Sequence, residues 1–166
     1  MKPAFRVDGA AVDRDVFYAT ACDPRRSCIV EACAGSGKTW LLVSRILRAL
    51  LDGARPHEIL AITFTRAAAG EMRQRLNEWL AAYAGPRSTP AARVEALLQR
   101  GLDRPAAEAA APRLADLQGR LLAEGRPVEI RTFHSWFWQL LRSAPLAMLD
   151  RLGLQPDMTL IEEPEE

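Results

Sequence analysis

Lysine is almost missing from this chain of 166 residues: Lys2 and Lys38 are the only two, and arginine supplies the rest of the positive charge. Acidic residues balance it to a formal net charge of +1, which excludes a global basic field and leaves any nucleic-acid contact to a local patch. No apolar run reaches the length of a membrane span. The opening "MKPAFRVDGAAVDRD" does not read as a secretory signal, because acids interrupt it before an apolar block forms. The cysteines Cys22, Cys28 and Cys33 are an odd count without metal-ligand spacing, which excludes a zinc-finger framework and suits reduced thiols. With no export signal, the expected location is the cytoplasm and no membrane partner is expected. Internal repeats are absent as well.

Against the bias towards arginine, Lys38 stands out, because it closes the stretch "IVEACAGSGKTWLLVSRIL" (29–47). "SCIVEA" (27–32) reads as a buried strand. From Thr39 to Leu51, Leu42, Val43, Ile46, Leu47 and Leu50 recur at helical spacing, and Gly53 and Pro56 end the run. Between strand and helix, "ACAGSGKT" (32–39) fits G-x-x-x-x-G-K-[ST] with Ala32 in place of the first glycine. Such a loop binds the phosphates of a nucleoside triphosphate. The residues Ala32, Cys33, Ala34, Gly35, Ser36 and Gly37 let backbone N–H groups curl around phosphate oxygens, aided by the helix N-terminus. Lys38 supplies a point charge to the β- and γ-phosphates, and Thr39 offers a hydroxyl to Mg²⁺. The loop alone thus implies a nucleoside triphosphate with Mg²⁺, and does not say kinase, transporter, GTPase or motor.

Before the loop, residues 1–26 read as a lead-in whose "DVFYATACDP" forms a short helix ending ahead of Pro24. After it, "EILAITF" (58–64) reads as a buried parallel strand. Thr65 can cap a helix carrying Ala68, Met72, Leu76, Trp79, Leu80 and Tyr83 on one face. "AGPRSTPAA" (84–92) is a break. Residues 92–124 read as one or two helices split near Pro105 and Pro112, an insertion to which no chemistry is assigned. "PVEIRTF" (127–133) reads as a third strand, followed by a helix with Phe133, Trp136, Phe137, Leu140 and Leu141 on one stripe. Another short helix follows Pro145. This order predicts an open parallel α/β sheet with crossover helices.

At three places in order the chain resembles superfamily 1 helicases of the UvrD/Rep type: "EACAGSGKT" is similar to their motif I, "AITFTRAAAGEMRQRL" (61–76) to motif Ia, and "IRTFHSWFWQLLR" (130–142) to motif Ib. The wording "IVEACAGSGKT" and the long gap between Ia and Ib resemble the RecB/AddA branch, the exonuclease V beta-type subunits. The resemblance covers 27–80 and 128–163. It implies an incomplete RecA-like P-loop NTPase fold, with a core at 27–83 and 127–143, a helical insertion at about 84–126 and the start of an inserted subdomain at about 144–166. It implies an ATP-dependent DNA helicase or translocase, acting on single- and double-stranded DNA, with other subunits of a helicase–nuclease complex as partners. Thr63, Phe64 and Thr65, and Thr132, Phe133 and His134, then resemble strand ends that contact single-stranded DNA, with Arg66 a backbone contact.

Each of these residues has a plainer reading. Phe64 can be core, His134 a helix-start residue, Trp136 and Phe137 core packing with Trp138 exposed, and Arg66, Arg73 and Arg75 a solvated face. The chain departs from the family in two ways. The segment "VDRDVFYATACDP" has no adenine-reading Gln. The Asp-Glu pair that hydrolysis requires is missing, and "TLIEE" (159–163) is a poor substitute, with Pro164 following. The expectation is the N-terminal portion of a longer helicase that by itself binds nucleotide weakly and hydrolyses it negligibly. The rival readings are a truncated remnant that binds nucleotide or a partner, and a P-loop kinase, which the strand ends disfavour because they offer no acid base for a hydroxyl acceptor.

Overall fold

The computed structural model describes residues 5–33, 35–85 and 87–155. The chain begins with a hairpin of β1 (Arg6–Val7) and β2 (Ala10–Ala11), paired antiparallel around Asp8 and Gly9. Both turn residues have positive φ, 49° and 82°, as a tight hairpin turn requires. Helix α1 (Arg14–Ala21) follows, and then residues 27–33 run without regular structure to α2 (Lys38–Leu51).

The expectation of a buried strand at 27–32 is corrected. No ladder forms there, and Ile29 is 96% exposed. Strand propensity alone does not hold a strand; ladder bonds to a neighbour do, and among the described residues none pairs with this segment.

A short 3-10 turn (Pro56–Glu58) leads into β3 (Leu60–Thr63), then α3 (Arg66–Tyr83), α4 (Pro90–Leu98), α5 (Arg104–Glu124), β4 (Glu129–Thr132), α6 (Phe133–Arg142) and α7 (Leu146–Leu152). β3 and β4 pair in parallel, with Thr63 opposite Thr132. β3 is parallel as expected but not buried: Leu60 and Ile62 face outward, because β4 is its one ladder partner among the described residues.

Side-chain oxygens set the helix starts. Thr65 Oγ1 accepts the Ala68 N–H at 3.1 Å, and Thr89 and Asp103 accept from Ala92 and Ala106. Pro112 does not split α5, contrary to the sequence reading. The carbonyl that loses its helix bond belongs to Glu108, and Glu108 and Pro112 are both exposed residues, so the loss does not fall in the core.

The main core is helical. Val43, Leu47 and Leu50 of α2 meet Met72 and Leu76 of α3, Leu97 of α4, Leu114 and Leu117 of α5, and Ile130 of β4. Each of these fully buried leucines contributes about 1.5–3 kcal/mol. The helices at 90–124 thus belong to the same core as the loop-bearing helix. A smaller cluster joins Ala21 and Cys22 to Leu41, with Phe17, Tyr18, Val30 and Trp40 around it.

α6 buries none of its side chains. The expectation that Trp136 and Phe137 pack into the core is corrected: Phe137 is 46% exposed, and Trp136 is half-buried, mainly against Phe133 and Phe137. Trp138, expected outside the stripe, is half-buried too. The helix rests on the ends of β3 and β4, and no described element covers its outer face.

Candidate functional site

The loop at 32–39 ends where α2 begins. Gly37 is the residue that starts the helix, with φ 89°, and Gly35 has φ 74°. Nothing lies within 4 Å of where a Cβ would sit on either, so glycine is needed for conformation and not for space. Lys38 Nζ reaches back and donates to the carbonyl oxygens of Ala32 and Cys33, both at 2.7 Å. Ser36 Oγ donates to the same Cys33 carbonyl at 2.6 Å. Thr39 sits half-buried in the first turn of α2. Ala34, assigned to the same loop from the sequence, lies outside the described residues.

Ala32, Cys33, Ser36, Gly37 and Lys38, but not Thr39, line a cleft of about 760 Å³ that Glu31 also borders. One end is the loop itself, with Cys33, Ser36, Gly37 and Lys38. The other is built by Phe5, Arg6, Phe17 and Tyr18, from the hairpin and α1. Sequence reading missed the hairpin, although Asp8-Gly9 between short apolar residues is its usual signal.

A second set of residues gathers at the carboxyl ends of β3 and β4. Parallel pairing puts Thr63 beside Thr132, so segments nearly seventy residues apart in sequence end side by side. Phe64 projects from this edge, 90% exposed, so its reading as core does not hold. Thr65 and Thr132 both cap helices, the latter accepting the Ser135 N–H at 3.2 Å, so two helix N-termini face the same edge. Phe133 and His134 occupy the first turn of α6, both exposed.

An open cleft of about 670 Å³ runs the length of β4, from His57 and Arg126 ahead of the two strands, past Arg73 and Arg131, to Arg66 and Thr132 at the carboxyl edge. Arg73 is held there by donating from Nη1 to the Ile130 carbonyl at 2.6 Å, and Arg131 pairs with Glu129 at 3.3 Å. Arg75 instead pairs with Glu71 in the preceding turn of α3. The three arginines read as one solvated face therefore diverge. The contributions of His57 and Arg126 carried no sequence signal, since they come together only when β3 and β4 pair.

The family model of the UvrD/REP helicase N-terminal domain matches residues 14–165. The chain belongs to this family. Among similar proteins, the A-type subunit of an ATP-dependent helicase/nuclease from Lactobacillus gasseri is 46% identical over 56 residues, 34% of this chain and 5% of that protein. A protein of the same name from Anoxybacillus flavithermus is 48% identical over 67 residues, 39% of this chain and 5% of its own. Another, from Lactobacillus delbrueckii subsp. bulgaricus, is 53% identical over 49 residues, 29% of this chain and 4% of its own. The chain thus spans about 5% of the length of the relatives it matches. These relatives agree with the ordered motifs and with the RecB/AddA branch. No helix among the described residues is long and apolar enough to cross a membrane.

Proposed function

We propose that this chain is the nucleotide-gripping part of an ATP-driven DNA helicase, of the helicase–nuclease kind that acts in recombination and repair in the cytoplasm. The observation that carries the reading is the ammonium of Lys38 at the head of α2, turned back on a loop whose last glycine is left-handed. The donor set suits a triphosphate: one ammonium, loop amides, a helix N-terminus and a hydroxyl. ATP with Mg²⁺, when bound, supplies the phosphoanhydride whose cleavage drives movement along DNA. Lys38 then exchanges its two carbonyl acceptors for charged phosphate oxygens, which are the stronger partners. Gly35, Ser36 and Gly37 would offer the amides, together with Ala32, Cys33 and, from its place in the sequence, Ala34, and Thr39 would offer its hydroxyl to the metal.

Such an ion also wants a carboxylate, and hydrolysis wants one that activates water. Among the described residues no group of three His, Cys, Asp or Glu side chains assembles. Glu162 and Glu163 lie outside the described residues. By itself, the chain is therefore read as binding nucleotide without appreciable turnover, which keeps the non-hydrolysing remnant as the second reading. The P-loop RecA-like fold is part of the proposal, supported by the loop, the α2 start and the parallel β3–β4 pair.

Single-stranded DNA is assigned to the carboxyl edge: Thr63, Phe64, Thr65 and Arg66 from one strand end, and Thr132, Phe133 and His134 from the other. Exposed Phe64 suits base stacking, and the two helix N-termini suit a phosphate. Other components of a helicase–nuclease complex are the proposed protein partners.

Titration of the chain with ATP and Mg²⁺ tests the reading. Binding should be measurable in the parent and weakened at least about tenfold in Lys38→Ala, the loss of one charge-assisted contact. Equal affinity in the two proteins would refute it, and turnover above that of the Lys38→Ala chain would refute the non-hydrolysing reading.

A further inference from the structure

The cleft along β4 concentrates a charge that the whole chain does not show. Arg66, Arg73, Arg126 and Arg131 line it together with Glu129, a formal charge of +3 inside a chain of net +1. The residues outside it are therefore acidic on balance, and an anion is drawn to this face.

The cleft starts at the carboxyl edge, at Arg66 and Thr132, and leads away from it to His57 and Arg126 ahead of the strands. The four residues of β4 alone extend for about 13 Å. Successive phosphates of one DNA strand lie about 3.4 Å apart along a duplex axis, so the groove outlasts a single phosphate.

The free side of β4 is closed to a further strand. The Glu129 N–H donates to the Ile59 carbonyl at 3.2 Å across the ladder, so Ile130, next along, turns its carbonyl to the other side. Arg73 Nη1 donates to that carbonyl at 2.6 Å. A peptide adding itself to the sheet would need the same acceptor, and an arginine already holds it. No Phe, Tyr or Trp lines the cleft among the described residues, so it offers no ring of the Phe64 kind on which a base could stack. It offers guanidinium N–H groups, whose fork matches phosphate oxygens. The side chain of Arg126 is exposed and has no hydrogen-bond or ion-pair partner among the described residues. Arg131 is shared with Glu129 at 3.3 Å, and both stay about one-third exposed.

We propose that the cleft is a backbone track: through Arg73, Arg126 and Arg131 it holds the phosphates of a DNA strand that continues past the carboxyl edge towards the amino ends of β3 and β4, without reading its bases. The track rests on the DNA reading of that edge and extends the bound strand beyond it.

Fluorescence anisotropy with oligothymidines of about 5 and about 20 nucleotides tests it, because the short probe covers the edge and the long one reaches the cleft. Arg126→Gln changes an exposed side chain. It should leave the short probe unchanged, weaken the long one about fivefold near 0.1 M salt, and flatten the dependence of log Kd on log salt by about 0.7, the loss of one phosphate contact. Arg131→Gln, on a separate segment, should act alike. A long abasic strand should lose the same factor, since bases take no part. Arg104→Gln removes the same charge at the start of α5, outside the cleft, and should change neither probe. Undiminished long-probe affinity in both cleft variants, or an equal loss in Arg104→Gln, overturns the track; the edge reading then stands if Phe64→Ala still weakens the short probe. Displacement of the abasic strand by polyglutamate of matched charge at equal concentration also overturns it, and assigns the cleft to an acidic protein. If the parent chain binds neither probe, the edge reading fails and the track with it.

Discussion

The guanidinium carbon of Arg100 lies 3.9 Å from the centroid of the Trp79 ring, with Arg100 only 1% exposed. The rings of Tyr83 and Trp40 stand at 5.3 and 5.4 Å, and Nη1 donates to the Ala96 carbonyl at 2.5 Å. Among the described residues no carboxylate pairs with it and its Nε makes no hydrogen bond. Burial pulls its pKa below the ordinary arginine value. A desolvated cation over tryptophan gains about 2 kcal/mol, set against the cost of leaving water. Arg100 ties α4 to α3 and to Trp40 at the head of α2.

That balance makes volume and charge separable. Arg100→Ala should lower unfolding stability by about 3 kcal/mol, since it opens a cavity beneath three aromatic rings. Arg100→Met should stay within about 1 kcal/mol of the parent, because filling the site without a charge removes the desolvation cost along with the cation–ring attraction. Urea unfolding monitored by tryptophan fluorescence measures both. If methionine is as damaging as alanine, the charge is what holds the site.

Two left-handed glycines should respond differently to alanine. At Gly125, φ 65°, a Cβ meets open space, and Gly125→Ala should cost about 1 kcal/mol of backbone strain. At Gly101 the same strain is joined by collision with α1, and Gly101→Ala should lose more than about 3 kcal/mol. Thermal unfolding of the two variants decides it; equal losses would show that α1 yields freely.

Burial pushes the Cys22 thiol up from 9.0 to about 11, although nearby Arg48 and Arg100 pull it the other way. The folded state therefore holds its proton longer than the unfolded chain does. The resulting stability is fully present below pH 9 and is lost as pH rises through about 11, a difference of about 2–3 kcal/mol. Denaturant midpoints measured across this interval should fall more steeply in the parent than in Cys22→Ala. In native buffer at pH 8, a maleimide should modify exposed Cys28 and Cys33 and spare Cys22; rapid modification of Cys22 would contradict its burial.

Phe64 gives nothing to the core, so Phe64→Ala should leave the melting temperature unchanged within error. If it stacks a base, affinity for oligothymidine should drop at least about fivefold. Fluorescence anisotropy reads the second quantity and calorimetry the first. Unaltered affinity would remove Phe64 from the proposed DNA edge.

Much of the local structure was legible because its causes are local. The apolar spacing from Leu42 to Leu50 marks α2, and Gly53 ends it with φ 104°. Thr65 caps α3 as its residue type suggests. Asp8-Gly9 announces a hairpin that sequence reading passed over. Other outcomes depended on partners far along the chain. The apolar run 27–32 looked like a strand, but a strand is completed by neighbours. Pro112 looked like a break, but it and Glu108, whose carbonyl it strands, are both on the exposed face of α5. The stripe on α6 looked like core, but no described element packs over it.

Sequence by itself located the proposed phosphate loop, since Gly-Lys-Thr between an apolar run and an amphipathic helix is a pattern of consecutive residues. It also determined the family, through three motifs in order. Tertiary structure alone decided that Thr63 stands beside Thr132, that Phe5, Phe17 and Tyr18 close the far end of the loop's cleft, and that Arg100 lies buried under aromatic rings. The reason is range: loop chemistry follows from bonds between near neighbours, whereas these juxtapositions arise only when packing brings distant segments together and removes their side chains from water.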